Sequence, residues 1–485
     1  MTENRHPRIV LFLKTFLLLA GLLLLAGPGT GADDQETALP LLEARSTDDL
    51  PTMKKRRVIR ALVVFGPTDF FFIKGKPSGL QADLLREYEK FINKGIKRET
   101  EKIHLVFVPV PFSKLIPWLQ EGRGDIAAHF LTETPERQKS LLFASGRRMK
   151  VSELVVANRN IALPDRIEGL AGKTIQVLPG SSYLEHLQAL NRQFREKGLP
   201  PMDIQPVDPN LNSEDILEMV NAGVIGMTVI DDYKAKLWAQ ALPNIQVNEQ
   251  LAIHRDGYVG WAVRRNNPEL AKSLQDFSKK VRKGTLLGNM FMKRYYKSTR
   301  WIKNPAREQA REKFEQLLAL FRKYGDRYGF DALALAAQGY QESELDQSRR
   351  SHRGAVGIMQ LLPSTAADKN VGIKDISTEE NNIHAGARYL AFLRDRYFSD
   401  PSISPEDRMA FSWAAYNAGP AKVRKMRGLA EKMGLDPNRW FGNVEIAAGK
   451  IVGRETVRYV ANIYKYYIAY RYLMEAENRR RQDAA

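Results

Sequence analysis

The sequence predicts a two-lobed α/β domain followed by a mainly α-helical domain. Three observations carry this. Strand-like and helix-like segments alternate from about residue 58 to 263. That alternation pauses and restarts near 173, as two halves of one α/β unit would. Beyond about 305 strand-like runs disappear and helical spacing takes over.

The elements follow in order. Residues 58–65 (VIRALVVF) are apolar and β-branched, a strand. Residues 80–92 place Leu84, Leu85, Tyr88, Phe91 and Ile92 on one helical face. A second strand (103–110), a short helix (114–120) and a third strand entered through Gly124-Asp125-Ile126-Ala127-Ala128 complete the first half. Such strand-helix-strand order implies parallel pairing with crossover helices. The stretch 93–102 looks inserted. The second half has a strand at 173–178, Pro179-Gly180-Ser181-Ser182, a helix from 183 to about 197, and a helix at 213–222 with Ser213 as its cap. A strand at 226–230 then runs into Asp231-Asp232, and 258–263 (YVGWAV) is a strand returning to the first lobe. In the C-terminal part, 307–324 is a helix with Phe314, Leu317, Leu318 and Phe321 on one face. Asp331 caps a further helix that runs to about Glu342.

Composition agrees with a folded, multidomain chain: 485 residues, 44% hydrophobic and 27% charged. The formal charge of +18 suits an acidic polymer such as nucleic acid, anionic lipid or a carboxylate-rich cell wall, and equally a solvated lysine-rich surface. The absence of cysteine excludes disulfides, thiolate catalysis, Cys-based zinc sites and a lipid-modified N-terminal cysteine. The seven histidines are scattered without ligand spacing, so neither a metal nor another cofactor is expected. At the N-terminus, Arg5 and Arg8 precede an apolar run to Ala26, then small residues to Ala32. This is the order of a secretory signal over 1–32, cleaved or retained as an anchor. The expected division is 1–32 signal, 33–55 linker, 56–284 two-lobed domain, 285–305 linker, 306–478 helical domain and 479–485 basic tail. An export signal and the lack of a recognised nucleic-acid motif speak against nucleic acid as partner.

Glu342 lies near a helix C-terminus, where the macrodipole disfavours a carboxylate, and burial would raise its pKa further. An acid kept protonated near neutral pH is what protonating a glycosidic oxygen requires. Gln341-Glu342-Ser343, Ser351 and Gly354-Ala355-Val356-Gly357-Ile358-Met359-Gln360, then Ala415-Tyr416-Asn417-Ala418-Gly419, then Glu455-Thr456-Val457-Arg458-Tyr459-Val460 resemble, in order, three blocks of the lytic transglycosylase (SLT) domain, a lysozyme-like fold. The resemblance implies Glu342 as catalytic residue and Ser343, Ser351, Met359, Gln360, Tyr416, Asn417 and Tyr459 as the substrate-binding set. Met359 reads as well as core, Tyr416 and Asn417 as structural caps, and Tyr459 as packing on its helix. Beside Glu342 the only further acids are Glu344 and Asp346, which stand outside the family pattern, and the last block adds Glu455, far from Glu342 in the chain, whereas ordinary glycosidases need two carboxylates flanking the bond. The family's chemistry uses the substrate's own acetamido group and C6 hydroxyl. It cleaves the β-1,4 bond between N-acetylmuramic acid and N-acetylglucosamine without water and leaves 1,6-anhydromuramoyl ends.

Gly79-Leu80-Gln81-Ala82-Asp83-Leu84, Gly124 to Ala128, Thr132-Glu133-Thr134-Pro135-Glu136-Arg137 and Gly180-Ser181-Ser182 resemble the family 3 solute-binding domain, a periplasmic-binding-protein fold. That resemblance implies Arg137 on a ligand carboxylate, with Ser181 and Ser182 as further donors, and Asp231 on the ammonium, with Asp231 and Asp232 both open for that role. Gly226 departs from the pattern, where an acidic residue is usual. The domain order is similar to that of the membrane-bound lytic murein transglycosylase F family. It implies a periplasmic enzyme peripheral to the outer membrane, acting on peptidoglycan; the covalent pairing of the two domains leads to the expectation that a muropeptide or amino-acid ligand regulates it. The competing reading is a receptor whose helical domain is an inactive wall anchor.

Overall fold

A computed structural model describes residues 45–73, 76–144, 149–281, 285, 289–290, 294–295, 308–452 and 454–483. The expected signal segment, nearly all of the 285–305 linker and the last two residues of the tail lie outside these. The N-terminal unit is built on one twisted path of strands, β10-β7-β11-β5-β1-β4, with β6 paired to β11. In the first lobe β1 (Val58–Val63) pairs in parallel with β4 (His104–Pro109) and β5 (Ile126–Thr132). The helices α2 (Leu80–Ile92) and α3 (Leu115–Gln120) make the crossovers. In the second lobe β7 (Lys150–Asn158) pairs with β10 (Met227–Asp231), and β8 (Thr174–Val177) runs parallel to β9 (Asp203–Pro206). β11 (Ile245–Arg264) joins the lobes, pairing antiparallel with β7 along one stretch and with β5 and β6 (Leu141–Phe143) along another. Residues 245–257 were not expected as strand. Their alternation is broken by the charged turn around Asp256, whose φ of 54° marks the irregularity.

The expected 33–55 linker is corrected in its second half. Asp49 caps α1 (Leu50–Arg56) through Leu50 N, and its carboxylate also accepts from Glu269 N and Leu270 N at the start of α8 (Pro268–Val281). Met53 is buried, so this segment is part of the first lobe. A second correction concerns the helix α6 (Ser213–Asn221). Its cap is Asn212, in a reciprocal capping box with Asp215, and Ser213 is the first helical residue. The apparent insertion after α2 is pinned by Asn93, whose amide bonds the N–H and carbonyl of Ile103.

The C-terminal unit is helical: α9 (Glu308–Tyr328), α10 (Ala332–Ser343), α11 (Pro363–Ala367), α12 (Glu379–Tyr397), α13 (Pro405–Ala418), α14 (Pro420–Lys432), α15 (Glu445–Ile451) and α16 (Arg454–Asp483). Its core gathers Phe314, Phe321, Tyr340, Met359, Phe411, Trp413 and Trp440. α16 serves two cores. Val457, Val460 and Ile463 pack among the catalytic helices, while Ile468 lies in the core of the binding unit with Tyr464 and Tyr472 against it.

Candidate active site

Asp331 starts α10, its side chain accepting from Leu333 N, and the helix delivers Glu342 one residue before its end. The chain then turns sharply: Glu344 and Leu345 take φ of 60° and 61°, and Gln360 takes 45°. Three of the five described non-glycine residues at positive φ therefore flank this site. Such strain persists only where surrounding contacts over-determine it. Here Leu345 is buried beneath the turn.

Tyr459, from α16, donates its hydroxyl to Glu342 Oε1 at 2.5 Å. Gln338, one helical turn before Glu342, donates to the same phenol oxygen at 3.3 Å. Burial pushes the Glu342 carboxyl up to about 7, and the bond from Tyr459 only partly opposes this. Tyr416, on α13, donates to the Met359 carbonyl at 2.7 Å, and burial, with the nearby Glu342 charge, raises its pKa. Asn417 accepts from the Thr456 hydroxyl at 2.8 Å, tying α13 to α16. Ser351 and Asn417 are exposed, and Gln360 is half-buried with its amide on the carbonyls of Arg349 and Gly357.

Two expected substrate contacts are corrected. The Met359 side chain is 0% exposed and packs on Gly386, where a Cβ would meet its Cγ at 2.6 Å. Ser343 is buried, donating to the carbonyls of Gly339 and Ile358 and accepting from Asp346 N. Both shape the site from behind. Of the extra acids, Glu344 is exposed, and Asp346 is spent on Ser348, whose N–H and hydroxyl hold it below the usual range. Among the described residues no second carboxylate shares a hydrogen bond with Glu342, Tyr459 or Tyr416.

Sequence reasoning missed Gln338 and Asn382. Asn382 is fully buried, accepting from Met359 N at 2.7 Å and donating to the Val356 carbonyl, so it fixes the loop that carries Gln360. The available signal was a polar side chain within each helix's apolar stripe.

Residues 319–436 match the transglycosylase SLT domain, and 64–296 match the bacterial extracellular solute-binding proteins, family 3. A membrane-bound lytic murein transglycosylase F of Maricaulis maris is 30% identical over 447 residues, covering 87% of this chain and 92% of the relative. The chain belongs to the membrane-bound lytic murein transglycosylase F family. Its counterpart in Desulfosudis oleivorans is 28% identical over 443 residues, with coverage of 87% and 92%. Among solved structures, an ancestral arginine-binding protein bound to arginine is 20% identical over 50% of this chain and 99% of that one, with a TM-score of 0.40. As a member of the lytic murein transglycosylase F family, the chain is a peptidoglycan lytic transglycosylase rather than an inactive wall anchor.

In the binding unit the four expected ligand residues are each engaged by the chain itself. The Arg137 guanidinium reaches across the lobes to Glu185 Oε1 at 2.9 Å and to the carbonyls of Thr132 and Gly180. Ser181 caps α5 (Ser182–Glu196), accepting from Leu184 N and donating to the Leu178 carbonyl. Ser182 donates to Glu153. Asp231 accepts from Tyr183, and burial together with Glu153 pushes it up to about 7. Beside them Lys234, on α7 (Asp232–Ala239), stands 3.0 Å from Asp69 and 3.3 Å from Glu214.

Proposed function

We propose that the chain cleaves the β-1,4 bond between N-acetylmuramic acid and N-acetylglucosamine without water, leaving 1,6-anhydromuramoyl ends. The observation that carries this is the solitary, half-buried carboxyl of Glu342, pushed up to about 7 by desolvation, with the Tyr459 hydroxyl on one oxygen. The Glu342 proton passes to the glycosidic oxygen as the C1–O bond breaks, while the substrate's acetamido oxygen supports C1. The carboxylate so formed takes the proton of the C6 hydroxyl as O6 bonds C1, which restores the starting acid. Two-carboxylate glycosidases instead set the acids about 5–9.5 Å apart to use a nucleophile or a water. Tyr459 orients Oε1 and leaves Oε2 for the sugar, and Ser351, Gln360, Tyr416 and Asn417 are the residues proposed to meet the glycan. Mass spectrometry of digested peptidoglycan tests this. Products one water lighter than hydrolytic fragments are expected from the wild type and none from Glu342→Gln. Hydrated products would assign a lysozyme-type hydrolysis instead.

We further propose that the N-terminal unit takes an amino-acid or muropeptide ligand and tunes cleavage. Covalent pairing of a solute-binding domain with the catalytic one supports this, as does the shared helix α16. Cleavage rates unchanged by added muropeptide would count against it. A periplasmic location peripheral to the outer membrane is proposed from the relatives' designation as membrane-bound. Among the described residues no helix is long and apolar enough to cross a membrane.

A further inference from the structure

Two independent features of the binding unit point to a site that lies outside its deep cleft. First, the deep cleft carries its own zwitterion. The Lys234 ammonium sits between Asp69 and Glu214, and the Glu185 carboxylate sits on Arg137. Lys234, Asp69, Glu214 and Arg137 are each less than a tenth exposed. The chain's own side chains thus already pair Arg137 and the acids Asp69 and Glu214 of the cleft. Second, open space lies at the mouth of that cleft, where the catalytic unit closes over it. The cavity, of about 80 Å³ and open on one side, is walled by Phe65 and Phe112 of the first lobe, Asn210 and Asp215 of the second, and Phe441 and Glu445 of the catalytic unit. Phe65 and Phe112 follow the carboxyl ends of β1 and β4, the edge at which open α/β sheets take ligands.

Glu445 begins α15 and is 8% exposed. Its described hydrogen bond is from Gly442 N to Oε2, at 3.2 Å. The other polar groups of the cavity are already committed. Asp215 holds Asn212 N and faces Lys465 at 3.7 Å, and the Tyr464 hydroxyl donates to Asp208 and accepts from Asn210. Lys465 is itself engaged with Glu218. What remains is a buried carboxyl framed by aromatic rings, with Phe441 and Tyr464 4.5 Å apart between centroids. Carboxylate and aromatic faces together select a cation with an apolar body. A neutral polar ligand would leave the ring faces without a charge to meet.

We infer that this three-way junction is a binding site for a small organic amine, with Glu445 as its anionic anchor and Phe65, Phe112, Phe441 and Tyr464 as its walls. The inference requires neither the chemistry at Glu342 nor a ligand deep in the cleft. Burial holds the Glu445 carboxyl at about 7, and the other ionisable groups lining the cavity are Asp215, which faces Lys465, and Tyr464, which holds Asp208. An amine cation prefers the ionised carboxylate, so its affinity rises with pH up to that value and levels off above it.

The test is calorimetric titration of the full chain with cadaverine and with uncharged 1,5-pentanediol. One cadaverine per chain is expected, with no heat from the diol and an affinity that falls about tenfold per pH unit below the Glu445 pKa. Glu445→Gln is expected to weaken binding at least tenfold. Ala461→Phe, an exposed change on α16 that fills the mouth, is expected to block it, and Arg137→Ala to leave it unchanged. Equal binding of the diol, undiminished binding in both junction variants, loss of binding in Arg137→Ala alone, or no cadaverine binding to the wild type would each overturn the inference.

Discussion

The carboxyl of Glu342 sits in the last turn of α10, where helix carbonyls and the loss of water both disfavour its charge, while the hydroxyl of Tyr459 favours it. Desolvation is the larger influence, and it sets two expectations. The first is catalytic. The free enzyme must carry the proton, so kcat/KM should fall as pH rises through about 7. Tyr459→Phe removes the bond that stabilises the carboxylate, so this alkaline limb should move to higher pH while kcat drops by roughly tenfold or more. A pH–rate profile checks both, and an unmoved limb would separate Tyr459 from the titration of Glu342. The second expectation concerns stability. The folded pKa of about 7 exceeds the ordinary 4.5. The unfolded chain therefore ionises first, and the stability present below 4.5 is lost as pH rises towards 7. Glu342→Gln should consequently be inactive yet more stable than wild type at pH 8, by up to about 3 kcal/mol. Chemical denaturation at pH 4 and pH 8 measures the difference, which should nearly vanish at the lower pH.

At the scale of elements, the site is an end of α10 braced by a loop and by two helices. Ser343 ties the helix end to Ile358 and to Asp346, so Ser343→Ala should cost about 1–3 kcal/mol in stability and leave KM unchanged. A raised KM at unchanged stability would instead return Ser343 to the glycan groove. Gly386 on α12 is small because Met359 lies against it. Gly386→Ala should push Met359 and the loop bearing Gln360 outward, costing about 1–3 kcal/mol, read from the thermal midpoint.

At the scale of the whole molecule, α16 is the shared member. It carries Tyr459 to Glu342, and about two turns later its Lys465 binds Glu218 and Asp215 of the second lobe. Tyr464 and Tyr472 add bonds to Asp208, and α15 presses Gly449 onto Phe72 of the first lobe. Removing one partner of a buried ion pair leaves the others uncompensated, at about 3–5 kcal/mol. Lys465→Ala should therefore lower the unfolding midpoint and split the calorimetric transition, with binding and catalytic units melting separately. A single transition at the wild-type midpoint would show that this contact does not join them.

Some of this was legible in the residues and some was not. Apolar periodicity predicts β1, α2 and α10 because side-chain spacing is a local property, and Asp331 announces its helix by its own hydrogen-bonding chemistry. The ordered blocks around Glu342, Tyr416 and Tyr459 likewise assign the catalytic unit to its family. The three-dimensional fold alone decided which side chains those groups meet. Arg137 has the chemistry to hold a ligand carboxylate, yet folding sets Glu185 against it from a residue 48 positions away. Met359 and Ser343 share a motif with Gln360, but packing turns both inward. Charge, burial and partnership depend on long-range neighbours, so the sequence by itself determined most of the elements, the two units and the acid at Glu342. The tertiary structure decided how far desolvation raises that acid, to a pKa of about 7, and that one helix joins it to the binding unit.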